Sequence, residues 1–364
     1  MFNHVFHGKS VWLSGHTGFK GAWLARWLVR LGARVHGLAL PPPTRPSLFE
    51  QLGLARIVEH ETGDVRDLAT VEKSIAAAQP DFVFHLAAQA LVRCSYEHPL
   101  ATFETNVMGT ANVLEVLRSL KKPCATVLVT TDKCYENREM DYSYAEEDPL
   151  GGHDPYSASK GAAEIVISAY RRSFFDKSPV CIASARAGNV IGGGDWAMDR
   201  IVPDCIRKLN NNLVIEVRNP EATRPWQHVL EPLSGYLWLS AQLYQPSTFN
   251  SQLASAFNFG PEKEANRNVG ELVREVLKNW PGQWDDKSNP HDVHEAKLLM
   301  LSTAKAKKIL HWHPTWNFET AIAETVGWYR AVHERGEQIA EELTVKQIQE
   351  YVAAARAAKA AWAV

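Results

Sequence analysis

At 364 residues, with 45% hydrophobic and 22% charged side chains, the chain can fill a sizeable core and divide into two domains or a large lobe with a smaller cap. Its 39 basic and 41 acidic residues leave a net charge of −2 with no long run of either sign, which excludes bulk nucleic acid and anionic membrane surfaces as expected partners. No apolar stretch reaches the about 18 residues of a membrane span, and residues 1–7 lack the apolar core of a secretory leader, so a cytoplasmic protein is expected.

The first apolar run, 11–13, reads as a strand. It is followed by Gly15-His16-Thr17-Gly18-Phe19-Lys20-Gly21 and a helical pattern over 22–31. Glycines at this spacing between a strand and a helix make a tight turn that brings a pyrophosphate to the N–H groups of the helix start. Gly15, Thr17, Gly18, Phe19 and Gly21 are therefore expected against a dinucleotide. The second strand, 34–40, ends in Leu38-Ala39-Leu40-Pro41 with no acid for the adenosine ribose. Arg45 follows closely and suits a 2′-phosphate, so NAD is expected with NADP as the less favoured alternative.

A weaker strand at 57–61 precedes Asp64 and Val65. They hold the adenine end of the cofactor, or Asp64 serves as a cap or loop acid before the helical pattern at 68–78. Strand 82–86 closes in Leu86-Ala87-Ala88-Gln89, whose small side chains either admit the cofactor to the backbone or pack strand on helix. The helical pattern 101–120 carries Asn106, placed with the cofactor contacts. Strand 126–130 runs into Thr131-Asp132-Lys133. Tyr156-Ser157-Ala158-Ser159-Lys160 then opens a helix over 156–174, followed by a strand at 181–185.

Tyr156 and Lys160 are four apart and share a helix face. An ammonium beside a phenol favours phenolate and lowers its pKa, preparing it to take a hydroxyl proton as hydride leaves carbon. Asp132 and Lys133 add an acid and a base that simple alcohol oxidation does not use. On a strand their side chains would point opposite ways, so they are expected just past the strand's end. The five cysteines, Cys94, Cys124, Cys134, Cys181 and Cys205, form no C-x-x-C pair or metal-ligand spacing, so thiols in a reducing compartment and no metal are expected.

Strand and helix alternate, which implies an α/β fold: a Rossmann-like, doubly wound parallel sheet that binds ligands at the carboxyl ends of its strands. Residues 1–187 read as the dinucleotide-binding domain. Segment 226–261, with a helix at 226–242 and a strand at 256–259, returns to it. Residues 188–225 and 262–335 read as a smaller C-terminal substrate-binding lobe. The tail, 336–364, is Ala-rich and helical by propensity, and is expected as a surface or subunit-contact helix.

The Gly turn, Leu86-Ala87-Ala88-Gln89 and Tyr156-x-x-x-Lys160 resemble the extended short-chain dehydrogenase/reductase family. Longer stretches narrow the resemblance. They are the Gly turn itself, Thr131-Asp132-Lys133-Cys134-Tyr135, Arg186-Ala187-Gly188-Asn189-Val190-Ile191-Gly192-Gly193-Gly194-Asp195-Trp196 and Arg224-Pro225-Trp226-Gln227-His228-Val229-Leu230. These closely resemble the CDP-glucose group of the family's nucleotide-sugar 4,6-dehydratases, from about residue 8 to 330. Members of the group carry an acid near Pro41, where this chain departs.

The resemblance implies a lyase of deoxysugar and O-antigen lipopolysaccharide synthesis, acting on CDP-glucose or another nucleotide sugar. It implies a tightly held, recycled NAD and a homodimer or homotetramer. Tyr156 would be the base at the 4-hydroxyl, supported by Lys160, with Thr131 bonded to the 4-oxygen. Asp132 would be the acid for the C6 hydroxyl and Lys133 the base at C5. Dehydratases for dTDP-glucose place a glutamate where Lys133 stands. A working Asp132 must be protonated and a working Lys133 neutral, which desolvation favours. Asn189 is expected at the sugar or its phosphate and Arg224 at the pyrophosphate. Ser95, Tyr96, Arg200 and His228 either line the pocket or serve the structure. Trp196 and Trp226 flank the base or pack. The alternatives are an epimerase or reductase of the same family, which needs no C6 acid, and a non-catalytic dinucleotide sensor, which has no use for Tyr156 and Lys160.

Overall fold

Seven strands form one parallel sheet in the computed structural model, which describes residues 1–245, 252–288 and 298–364. They are β1 (Ser10–Ser14), β2 (Arg34–Ala39), β3 (Glu59–Thr62), β4 (Phe82–His85), β5 (Cys124–Val129), β6 (Val180–Ala187) and β7 (Ala256–Phe259). Their order is β7-β6-β5-β4-β1-β2-β3. The order reverses between β1 and β4, where Ser14 lies beside His85. In such sheets the crevice outside that reversal is where ligands bind. Residues 246–251 of the expected returning segment and 289–297 of the expected lobe lie outside the described residues.

The helices are α1 (Phe19–Arg30), α2 (Leu68–Ala78), α3 (Gly109–Leu117), α4 (Pro155–Phe174), α5 (Ile201–Asn210), α6 (Leu230–Leu243), α7 (Val269–Asn279), α8 (Phe318–Arg335) and α9 (Ala340–Ala357). Side chains alternate across the strands and so feed two cores. Trp12, Val83 and Leu128 point to one face and pack with Val71, Val113 and Ile167 of α2, α3 and α4. Val11, Leu13, Phe84 and Val127 point to the other and join a larger core with α1, α6, α8 and α9. The central strands are buried on both faces, which is why they read as continuous apolar runs. Edge strand β3 is Glu-His-Glu-Thr and half-exposed, which accounts for its weak signal.

Three expectations need correction. The single helix over 101–120 is divided: an α-turn at Pro99–Phe103 and a π-turn at Glu104–Met108 precede α3. The helix expected from 226 starts at Leu230, because Gln227–His228 are extended and pair with Val190–Ile191. The tail is no surface helix. Ile348, Tyr351, Val352, Ala355 and Trp362 are buried in the larger core, and Trp362 stacks between Phe2 and Tyr351 with centroids 5.1 and 5.6 Å away. The Ala-rich composition hid an apolar stripe that closes the fold.

Candidate active site

The Gly turn is built by close approach. Gly15 has φ +77°, and a Cβ there would lie 2.7 Å from the backbone nitrogen of Ala87. A Cβ on Gly21 would collide with the Gly15 carbonyl. Gly18 is the N-cap of α1 and offers no side chain to the first-turn N–H groups. These bare donors and the helix dipole suit an anion. Thr17 Oγ1 donates to the Leu40 carbonyl at 2.9 Å, tying the turn to the exit of β2. Ser14 Oγ accepts the N–H groups of Leu86 and Ala87, both at 3.1 Å. Leu86, Ala87, Ala88 and Gln89 therefore form the opposite wall of one crevice, half-buried on the same rim, and half-buried Phe19 opens α1 above it. The backbone here fits a dinucleotide pyrophosphate.

Where the ribose acid is missing, His16 and His60 share a hydrogen bond at 2.7 Å. Burial, then His60, pulls His16 down to about 4, so this pair is neutral at physiological pH. Asp64 is on the same rim, beyond β3, but its carboxylate is held by Arg66 at 2.6 Å and by the Arg66 N–H, which keeps it below the usual range. Val65 is buried against Gly109. Asn106 is buried, accepts the Gln89 N–H at 2.9 Å, and donates to the Gln89 carbonyl and Ser159 Oγ. Its amide braces the Gln89 loop against α4. Arg45 is exposed.

β5 ends at Val129, and Thr131 caps a 3-10 turn, Asp132–Cys134. The expected departure from the strand is thus present. Thr131 Oγ1 donates to Asp132 Oδ1 at 2.9 Å and accepts the Lys133 N–H at 3.4 Å. Asp132 is buried. Its Oδ2 has no hydrogen-bond partner among the described residues and faces Gly188, where any Cβ would strike it. Lys133 is half-buried.

α4 brings the next pair. Asp154 caps it and Pro155 opens it, so Tyr156 is in the first turn. The Tyr156 phenol is hydrogen-bonded with Thr131 and pushed up to about 12 by burial, with Asp132 adding to the rise and Thr131 and Arg200 opposing it. This reverses the expected lowering, because desolvation of the phenolate outweighs the donors around it. Burial lowers Lys160 to about 8, and Glu164 opposes that shift. Its ammonium donates to the Val129 carbonyl at 3.5 Å.

Of the remaining expected contacts, Arg200 is half-buried, its guanidinium held by Asp195 at 2.8 Å, and its charge reaches Tyr156. Arg224 is buried on Thr223–Pro225, which pairs with Asn266–Asn268. Asn189 is half-buried and Tyr96 exposed. Ser95 and His228 do not line the crevice. Ser95 is fully buried, donates to the Val92 carbonyl at 2.6 Å and accepts the Tyr156 N–H at 3.1 Å, so it holds the start of α4. His228 is buried between Trp23 and Trp316. Trp196 bonds Gln51 and packs on Tyr329, and Trp226 donates to the Arg267 carbonyl.

Lys20 was passed over by sequence reasoning. It is half-buried, and burial with Arg200 and Lys160 pulls it down to about 7, Asp132 acting the other way. A lysine among the small and apolar residues of the helix's first turn, Phe19-Lys20-Gly21-Ala22-Trp23, was the available signal.

Residues 13–325 match the family described as GDP-mannose 4,6 dehydratase. The chain belongs to this family. The chain is similar to a CDP-glucose 4,6-dehydratase of Salmonella typhimurium, 46% identical over 337 residues that cover 90% of this chain and 92% of that one. Among solved structures, the dTDP-glucose 4,6-dehydratase DesIV of Streptomyces venezuelae, solved with NAD bound, is 22% identical with a TM-score of 0.73, covering 88% of this chain and 96% of that one. A UDP-glucose 4-epimerase of Thermotoga maritima, solved with UDP-glucose, is 18% identical with a TM-score of 0.72, over 88% and 99% of the two chains. These likenesses agree on the Rossmann-type sheet. The 4,6-dehydratase family places this chain among the enzymes of the extended short-chain dehydrogenase/reductase class that work on nucleotide sugars.

Proposed function

We propose that this enzyme converts CDP-D-glucose to CDP-4-keto-6-deoxy-D-glucose. The observation that carries the reading is the Thr131-Asp132-Lys133 turn: an acid and a base beyond what oxidation at C4 uses, set beside Tyr156 and Lys160. Gly15, Thr17, Gly18, Gly21 and the 86–89 wall would hold NAD, with NADP less favoured. When bound, NAD supplies an acceptor for the C4 hydride and its return to C6.

Tyr156 takes the 4-hydroxyl proton, Lys160 supporting the phenolate, while Thr131 bonds the 4-oxygen. The resulting ketone acidifies C5. Lys133 removes that proton, and Asp132 protonates the departing C6 hydroxyl, so one water leaves. A proton then returns to C5. Each turnover leaves Tyr156 one proton richer and Asp132 one poorer. The Thr131 hydroxyl, bonded to both side chains, stands on the return path. Asn189, Arg200 and Arg224 are the proposed sugar and pyrophosphate contacts, on a lobe formed by 188–225 and 262–335.

A homodimer or homotetramer is supported by exposed Leu100, Phe103, Met108, Ile165 and Phe174 along the Pro99–Leu117 segment and α4. A cytoplasmic setting fits the five free cysteines, and no helix among the described residues is long and apolar enough to cross a membrane.

The test is incubation with CDP-, dTDP-, UDP- and GDP-glucose in heavy water, followed by product mass. Loss of one water from CDP-glucose with deuterium gained at C5 is expected. A changed sugar stereochemistry without loss of mass would replace the reading with epimerase. Preference for another nucleotide would overturn the assignment of cytidine.

A further inference from the structure

Beneath the Thr131–Lys133 turn is a buried polar network that none of these steps uses. Glu164 is one helical turn beyond Lys160 on α4, and Arg186 is near the end of β6; both are almost wholly buried. Arg186 Nη2 donates to Glu164 Oε2 at 2.8 Å. The same carboxylate accepts Thr130 Oγ1 at 2.5 Å and Ser184 Oγ at 2.8 Å. Arg186 Nη1 donates to the Tyr135 hydroxyl at 2.7 Å, which donates to Asn258 Oδ1 at 2.8 Å. Thr130 immediately precedes the Thr131–Cys134 segment and Tyr135 immediately follows it. One ion pair therefore grips both ends of the segment that carries Thr131, Asp132 and Lys133.

Stability alone does not account for such a pair. Apolar residues of similar volume are often as stabilising as a buried ion pair, or more so. A buried network in which both Arg186 amino groups and both Glu164 oxygens are hydrogen-bonded does, however, favour one geometry.

We infer that Glu164 and Arg186 are positioning residues for the dehydration, holding the Thr131–Lys133 turn at the depth where it meets substrate and placing a carboxylate beside Lys160. The inference rests on the proposed role of that turn. Two consequences distinguish it from simple packing. Loosening the turn slows chemistry more than it weakens substrate binding. Removing the Glu164 charge also alters the field at Lys160, whose ammonium otherwise faces Lys20, His85 and the thiol of Cys134. Glu164 favours the charged lysine, so its loss lets Lys160 discharge at lower pH.

The experiment compares the parent enzyme, Glu164→Gln and the double variant Glu164→Gln/Arg186→Met, which removes both members of the ion pair. With CDP-glucose, kcat is expected to fall about tenfold to a hundredfold in both variants, with KM within about threefold of the parent. The double variant should recover the parent's melting temperature without recovering kcat. The high-pH side of the Glu164→Gln kcat profile should move to lower pH. A double variant that regains kcat together with melting temperature would overturn the inference, leaving a fold-stabilising pair only. Unchanged kcat and pH profile in Glu164→Gln would do the same. Absence of turnover by the parent would overturn the proposed function and this inference together; a working parent with unimpaired variants overturns this inference alone.

Discussion

Tyr156 and Lys133 divide the reaction between them, and their substitution should separate its halves. In Tyr156→Phe the 4-hydroxyl keeps its proton, so oxidation stalls. A fall in kcat of about a hundredfold to ten-thousandfold is expected, read as CDP-glucose consumed. Retained turnover near the parent's would remove Tyr156 from the mechanism. Lys133→Met leaves Tyr156, Lys160 and Thr131 in place. Hydride transfer from C4 then proceeds but water loss does not, so absorbance of reduced nicotinamide should persist and no deuterium should enter C5. Normal dehydration by this variant would refute the assignment of Lys133. At this scale the sequence was legible in placement where a motif carries its own spacing, as at Tyr156 and Lys160, one turn apart on one face of α4. It was not legible where a side chain's surroundings come from distant segments. Ser95 and His228 were open between pocket and structure because nothing local showed the Tyr156 N–H, Trp23 or Trp316 around them. The upward shift of Tyr156 was missed because burial is a property of the fold.

The first β-turn-α element carries a sharper test of the crevice, because its glycines do different work. A methyl on Gly21 would press into the Gly15 carbonyl, whereas one on Gly18 would find that oxygen at 3.5 Å, an ordinary contact. Gly21→Ala should therefore destabilise the cofactor-free chain by about 1–3 kcal/mol, the usual cost of overpacking, seen as a lower melting temperature. Gly18→Ala should melt like the parent, yet gain less from added NAD, because its methyl stands where the anion meets the helix start. Equal melting of the two cofactor-free variants would contradict the packing described. Elements with a strong local period were legible in sequence: α2 and β7 have the expected bounds, and β1, β4 and β5 differ by two residues or fewer. The rest depended on partners remote in the chain. Ser143–Tyr144 pairs with Met300–Leu301, and Gln227–His228 with Val190–Ile191, two-residue ladders whose signal is the partner and not a propensity.

Across the whole molecule, buried histidines make stability depend on pH in a direction that can be worked out. His16 is held down to about 4, and His85 and His228 to about 3, all chiefly by burial. In the unfolded chain each takes a proton near its ordinary value of about 6.5. Between these limits the unfolded state binds more protons than the native one, so stability is present above about pH 6.5 and is lost as pH falls. Glu231 opposes this. Burial raises it to about 7, so the native chain holds a proton there that the unfolded chain accepts only near the ordinary carboxylate value, and stability is gained as pH falls through that window. Half-buried Glu146, also raised by burial, acts in the same sense. His60, also lowered by burial, joins the histidines, and half-buried Asp204 and Glu324, also raised by burial, join the carboxylates, so two opposing sets of groups act between about pH 4.5 and about pH 6.5. Urea midpoints of parent and variant measured at about pH 7 and about pH 5 at constant ionic strength isolate the histidine contribution. His228→Asn should lose less stability than the parent between these pH values, because it removes one of the reluctant groups. The same pH dependence in variant and parent would contradict the account. The same histidines brace the cofactor half: His16 is in the Gly turn, His85 bonds Ser14 at 2.7 Å, and His228 packs on Trp23 of α1. Acid should therefore weaken NAD binding before it unfolds the chain, and the NAD-induced rise in melting temperature should shrink between those two pH values first.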